Sequence, residues 1–289
     1  MQVKKIYWDE PNRAGLKPLH ISTSGNRYSS LAGVRWIDNY RLVANHNSGL
    51  RIAFFDIRDS LKPIFTIETP HRTDDISIKR IGSHLYEIVV SGCWDAAYSI
   101  YHLSDEGEVR IKYLFTKKNI DRTFSHGVSY SREGKIFVTY STGENPRIEL
   151  EEKIWVLPKP WGPRFVSYCH VSNTYFAVCN STVPKLNAYK TVDASIWIFD
   201  TINNTWLMKF RLPNVHSDSC QYFQGKIWIP DQLGNRIFAI DLDTSKYIVL
   251  ESKSIDFPHG ISISELGVLA VTNYGDSSIA LIDIKELSK

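Results

Sequence analysis

The sequence is poor in the features that build long helices, membrane spans or metal knuckles. None of its 289 residues lies in an apolar run of the roughly 18 needed for a spanning helix. The opening stretch, Met1 to Glu10, has no apolar segment of signal-peptide length, so a cytoplasmic location with no membrane partner is expected. Cys93, Cys169, Cys179 and Cys220 form no C-x-x-C pair, which removes the usual zinc knuckle and redox motif. Reduced thiols are expected, although Cys169 and Cys179 could face each other on adjacent strands. An excess of one charge sign is also missing. The 34 basic and 31 acidic residues leave +3, too mild and too evenly spread for nucleic acid. No G-x-x-x-x-G-K-[ST], G-x-G-x-x-G, G-x-S-x-G or H-E-x-x-H occurs, so phosphate cradles, Rossmann cofactors, α/β-hydrolase and zincin chemistry have no support. The Trp-Asp pairs at 8–9 and 94–95 fall at the wrong places for a WD repeat.

Strand formers are abundant. Aromatic residues reach 12%, with 15 Tyr and 8 Trp, and short apolar runs alternate with Gly, Asn and Asp turns. One unit recurs: a short apolar strand, a turn, a second strand ending in a small or polar residue, a loop, then a third strand ending near Asp. Three copies are clear. They open at Leu31-Ala-Gly-Val-Arg-Trp36, at His216-Ser-Asp-Ser-Cys-Gln-Tyr222 and at His259-Gly-Ile-Ser-Ile-Ser264. Looser copies open at Asp74, at Ser125-His126-Gly127 and at Arg164-Phe-Val-Ser-Tyr168. Unit starts near 32, 74, 126, 166, 216 and 259 are spaced as four-stranded propeller blades require, about 40–50 residues each. The expected fold is therefore all-β, one six-bladed β-propeller domain over 1–289.

The last unit lacks a fourth strand, and the chain around Pro18-Leu-His-Ile-Ser-Thr23 lacks a blade. That segment is expected to close the last blade and remove a bare sheet edge; a frayed tail is the alternative. Between 141 and 165, Arg147–Leu150 and Lys153–Leu157 read as the outer strands of the third unit, or one of them as loop. The run Pro158-Lys-Pro-Trp-Gly-Pro163 reads as irregular.

The His-Gly-Ile-Ser and Asn-Arg-Ile-Phe-Ala-Ile-Asp patterns resemble the NHL and YVTN class of propellers over nearly the whole chain. The class is also similar to gluconolactonase, strictosidine synthase and the peptidyl-hydroxyglycine amidating lyase. Functions within it diverge, so the resemblance bears on fold more than on chemistry.

Blade register gathers equivalent residues into two rings around the channel. The first holds Ala32, Asp74, His126, a residue near Val166, His216 and His259. The second holds Asn45, a residue near Gly92, Tyr140, Asn180, Asp231 and Asn273. The steps His126 to Tyr140 and His259 to Asn273 are both 14 residues. Three imidazoles at one structural position could hold a divalent metal, line a metal-free polar pocket, or merely form a ring of turns. The resemblance implies zinc by analogy with the amidating lyase's histidines, or calcium by analogy with the Glu, Asn and Asp of gluconolactonase-like enzymes. Asp74 could orient an imidazole, accept a proton or ligate a metal, or simply open a strand. Tyr140 could donate to a substrate or only pack. His46, His71 and His84 lack the shared register and read as surface or loop residues.

Long loops, 141–146 and 181–193, leave the second ring on the histidine face. They make Arg147, Lys185, Tyr189 and Lys190 candidates for contacting a polar or anionic ligand. Two functions follow. One is a lyase or hydrolase acting on a polar small molecule, with His126, His216 and His259 as metal ligands or acid–base groups and Asp74 and Tyr140 assisting. The other is a non-catalytic propeller that binds a protein or glycan through its top-face loops.

Overall fold

The computed structural model describes residues 3–15, 31–59, 61–121, 123–143, 145–181 and 192–285. Among them the chain forms six four-stranded antiparallel sheets and no helix. The sheets are blades of a six-bladed β-propeller, as the repeat spacing predicts. In blade 1 the strands, from the channel outward, are Leu31–Trp36, Arg41–His46, Arg51–Asp56 and Phe65–Glu68. Blade 2 runs Ile76–Arg80, Leu85–Ser91, Ala96–Ser104 and Arg110–Lys118. Blade 3 runs Phe124–Tyr130, Ile136–Thr142, Arg147–Leu150 and Lys153–Trp155, which settles the outer strands of that unit. Blade 4 runs Trp161–Cys169, Thr174–Ser181, Ala194–Asp200 and Thr205–Leu212. Blade 5 runs Gln221–Phe223, Lys226–Asp231, Arg236–Asp241 and Tyr247–Glu251.

Blade 6 holds Pro258–Ile263, Val268–Asn273 and Ser278–Asp283, and the chain's first strand, Val3–Tyr7, completes it. Val3 pairs with Ile282 and Tyr7 with Ser278. Closure by an N-terminal strand is therefore correct, but the segment expected for it is not. Residues 18–23 lie outside the described residues. Ile6 and Trp8 supply the apolar face, fully or almost fully buried against Phe55, Ile279 and Leu281. The lysines that precede them, Lys4 and Lys5, hide that alternation in the sequence.

The apolar side chains fill the layers between neighbouring blades, while the outermost strands stay partly exposed. All four cysteines are buried and free. A second correction concerns 158–163. Trp161, Gly162 and Pro163 are part of blade 4's inner strand, pairing with Ser181, Asn180 and Cys179. Proline is tolerated there because the register breaks immediately after it.

Candidate functional site

The inner strands carry bulges at equivalent positions, and these aim the site. In blade 3 the pairing jumps from Ser125↔Tyr140 to Val128↔Val138, so His126 and Gly127 oppose the single residue Thr139. Blade 6 repeats this with His259 and Gly260 opposite Thr272, and blade 1 with Ala32 and Gly33 opposite Asn45. A bulge bends the strand and re-aims a side chain. The opposing residue then caps the glycine amide. Gly33 N donates to Asn45 Oδ1 at 2.8 Å, Gly127 N to Thr139 Oγ1 at 2.8 Å, and Gly260 N to Thr272 Oγ1 at 2.7 Å. Glycine is required because the next blade's backbone is already there. A Cβ on Gly127 would lie 2.1 Å from the Arg164 carbonyl oxygen, and one on Gly260 would lie 2.6 Å from that of Ala32.

Blade 4 has a smaller bulge, a single extra residue between Pro163↔Cys179 and Phe165↔Val178, and that residue is Arg164. Its carbonyl meets blade 3 as Ala32's meets blade 6, accepting from Thr139 Oγ1 at 2.7 Å as Ala32's accepts from Thr272 Oγ1. Arg164 is therefore the first-ring residue of blade 4, which spacing alone had put near Val166. Asp74 and His216 precede the inner strands of blades 2 and 5. Ser91 Oγ accepts from the amides of Asp74 (3.1 Å) and Asp75 (2.8 Å), and Asp231 Oδ1 accepts from His216 N at 3.4 Å.

The three imidazoles converge. His126 Nε2 lies 3.1 Å from Asp74 Oδ2 and 3.4 Å from Asp218 Oδ1. His216 Nε2 lies 3.1 Å from Asp218 Oδ1, and His259 Nε2 lies 3.5 Å from Asp218 Oδ2 and 3.9 Å from Asp74 Oδ1. The His126 and His259 rings stack at 5.7 Å, and Tyr274 stacks on His259 at 5.0 Å. All five ionisable side chains are buried. Asp218 escaped the sequence reading, although His-Ser-Asp places it two residues from His216. It also accepts from Gln232 Nε2 at 2.6 Å and Asn180 Nδ2 at 3.3 Å, while Asn47 Nδ2 donates to Asp74 at 2.9 Å.

Burial would lower the pKa of His126, but Asp74 and Asp218 outweigh it and raise the pKa above the ordinary value. Burial dominates for His259, which is lowered despite the same two carboxylates. Asp218 is held well below the carboxylate range: burial alone would raise it, but His216, Arg164 and His126 prevail. Below this layer Asp75 pairs with Arg35 (3.2 Å), and burial pushes its carboxyl up to about 6.

The second ring separates from the first. Asn45 braces Gly33 and donates to Thr73 Oγ1 at 3.0 Å, one residue away from the register of Tyr140 and Asn273. The residue at that register in blade 1 is His46, which pairs with Leu31. His46 is fully buried, edge-on to Trp8 at 5.4 Å, and His71 is buried with Nδ1 bonded to Arg72 O; both had read as surface or loop residues. Tyr140 packs among Val89, Ala97 and Val138 beneath the Arg147 guanidinium, which is 3.8 Å from its ring centre. Arg147 itself is committed to Asp121 (2.8 Å) and Glu149 (2.6 Å). Asp231 also binds Arg236, and Asn273 binds Asp256 N, Ser254 O and Ser278 Oγ. Among the second-ring residues, Asn180 reaches the cluster, through Asp218. Lys185, Tyr189 and Lys190 lie outside the described residues.

Asp74, His126 and His259 can each offer a donor atom, all within 4.8 Å of one another. The pairing of Nδ1 of His126 with the Arg164 carbonyl at 3.1 Å leaves Nε2 as the inward-facing nitrogen.

No family model matches the chain, and no curated protein matches it significantly. Solved structures share the fold. A nidogen/laminin complex aligns at 15% identity and TM-score 0.60, over 80% of this chain and 84% of that one. The PQQ-bound aldose sugar dehydrogenase of Streptomyces coelicolor aligns at 10% identity and TM-score 0.59, over 97% of each chain. A catalytically inactive histidine-to-alanine variant of virginiamycin B lyase from Staphylococcus aureus, with quinupristin, aligns at 13% identity and TM-score 0.58, over 97% and 99%. The propellers similar to this chain thus include enzymes and a member of a protein–protein complex.

Proposed function

We propose that this chain is an enzyme of lyase or hydrolase type, acting on a polar small molecule at the imidazole–carboxylate cluster. The observation that carries this reading is the stacked pair His126 and His259. Their Nε2 atoms share Asp74 and Asp218, yet their proton affinities are displaced in opposite directions. Titratable neighbours pushed apart in this way are suited to acid–base work at one pH. His259, neutral, takes a proton from the substrate. His126, protonated and oriented by the Arg164 carbonyl, gives one to the leaving group. Asp74 and Asp218 hold the charge on His126, and His216 helps hold Asp218 ionised. The lyase among the structural neighbours, which loses activity in a histidine variant, supports the same reading by analogy of fold.

The donor triad favours a second reading, in which Asp74, His126 and His259 hold a divalent cation, zinc or calcium. Two imidazoles and a carboxylate suit zinc better than calcium, which prefers oxygen. A bound cation would polarise a carbonyl or lower the pKa of a water. His216 would then remain as the base.

Elemental analysis of the purified protein separates the two readings. Incubation with a library of polar metabolites, followed by mass spectrometry, tests the activity. A lyase leaves the total mass of its products unchanged, whereas a hydrolase adds one water. Turnover should vanish in His126→Ala and in His259→Ala while the fold is kept. Turnover indifferent to both changes, or a folded protein that transforms no library member, defeats the proposal and leaves the binding scaffold.

A further inference from the structure

The cluster contains a cation whose hydrogen bonds are largely uncommitted. Arg164 stands at the bulge register of His126, His259 and Ala32. Its backbone is pinned by the bonds that its carbonyl accepts from His126 and Thr139. Its side chain is only 12% exposed, with Nε 3.5 Å from Asp218 Oδ1. That distance lends charge to Asp218, but the buried Nε makes no hydrogen bond. Among the described residues its one side-chain hydrogen bond is from Nη1 to Ser141 Oγ, at the 3.5 Å limit.

A guanidinium carries five donors in a fixed fork, and removing them from water without partners costs free energy. The two arginines buried to the same degree, Arg35 and Arg147, meet this demand. Arg35, equally buried, bonds the carbonyls of Val34 and Ile261 and both oxygens of Asp75. Arg147 bonds Glu149, Asp121 and the Asn145 carbonyl. The fold does not demand arginine at this register, since blade 1 places Ala32 there. The cluster also has positive charge to offer. Arg164 and Arg72, whose Nε bonds Asn47 at 2.6 Å beside Asp74, supply it next to the two carboxylates.

We propose that Arg164 binds an oxyanion, so that the molecule handled at this cluster carries a carboxylate or phosphate group within reach of the imidazoles. The fork of Arg164 matches either group in a bidentate way. The inference rests on the enzymatic reading for its purpose, but its test is equilibrium binding and needs no turnover.

The full chain is titrated calorimetrically with malonate, orthophosphate and the neutral analogue malonamide at constant ionic strength. At least one anion should bind while malonamide does not, and whichever anion binds more tightly identifies the group. Arg164→Gln should weaken that binding at least about tenfold, Arg164→Lys should weaken it less, and Arg211→Gln, at an exposed pair with Asp193, should leave it unchanged. Arg164→Ala, which copies Ala32, serves if the glutamine variant folds poorly. Equal binding in wild type and both neutral variants overturns the proposal, as does binding of neither anion. Anion binding without turnover of any metabolite would instead remove the enzymatic reading and leave Arg164 as a ligand-binding residue.

Discussion

His126 donates its Nδ1 hydrogen to the carbonyl oxygen of Arg164, 3.1 Å away on the next blade. This bond spans the seam between blades 3 and 4 and fixes which nitrogen looks into the channel. The inward nitrogen then meets Asp74 and Asp218, so the protonation of His126 is set by residues from blades 2 and 5.

Replacing Asp218 with asparagine should lower the pKa of His126, because one of the two carboxylates favouring the imidazolium is gone. The change should also cost about 3 kcal/mol of stability, the scale of breaking a buried ion pair. Proton–carbon NMR of the histidine ring Cε1–H signals across pH reads the first effect. A His126 titration identical to wild type would contradict the charge arrangement described.

His46 should make the protein acid-sensitive. Burial lowers its folded-state pKa from 6.5 to about 4. The unfolded chain therefore takes up a proton below pH 6.5 that the folded chain refuses, and the stability present above pH 6.5 drains away as pH falls towards 4. Between pH 6.5 and pH 5 this amounts to about 2 kcal/mol. Asparagine stands at the same register in blade 6, where Asn273 pairs with Pro258 as His46 pairs with Leu31, so His46→Asn is the natural comparison. Denaturant unfolding at both pH values should show a smaller decline in the variant. Parallel declines would rule out His46 as the cause.

Gly127→Ala should be severe, because the new Cβ would meet a carbonyl oxygen of the next blade at 2.1 Å. Parting blades 3 and 4 to admit it should cost at least about 2 kcal/mol. Gly225 has φ +79° and open space around it, so alanine there should cost only about 1 kcal/mol of backbone strain. Thermal unfolding of the two variants should rank them in that order; the reverse order would show that the blade seam is loose.

Ile6→Ala tests the ring closure. Ile6 is fully buried on the strand that completes blade 6. Its truncation should cost about 2–4 kcal/mol, as for other buried aliphatic side chains. Near-neutral stability by chemical unfolding would mean that Val3–Tyr7 is not the closing strand in solution.

Much of this was open to a reader of the sequence. Repeating units at blade spacing exposed the propeller, and three of them opened with histidines that do meet. The second ring was harder. Asn45 was grouped with Tyr140 and Asn273, yet the same 14-residue step from Ala32 lands on His46, which the bulge shared by blades 1, 3 and 6 sets at their level. Arg164 was missed because its bulge holds one residue rather than two. Asp218 sits before a strand of only three residues, Gln221–Phe223, where no periodicity marks it.

The amino-acid order by itself determined the six units and the recurrence of histidine at their starts, because strand periodicity and turn residues are local properties of the chain. Only the tertiary structure decided which strand closes the ring, which way each bulge turns its side chain, and that two carboxylates and an arginine join the imidazoles. Those outcomes depend on contacts between blades, such as Val3 with Ile282 or His126 with Arg164, and burial across such distances leaves no mark in the spacing of neighbouring residues.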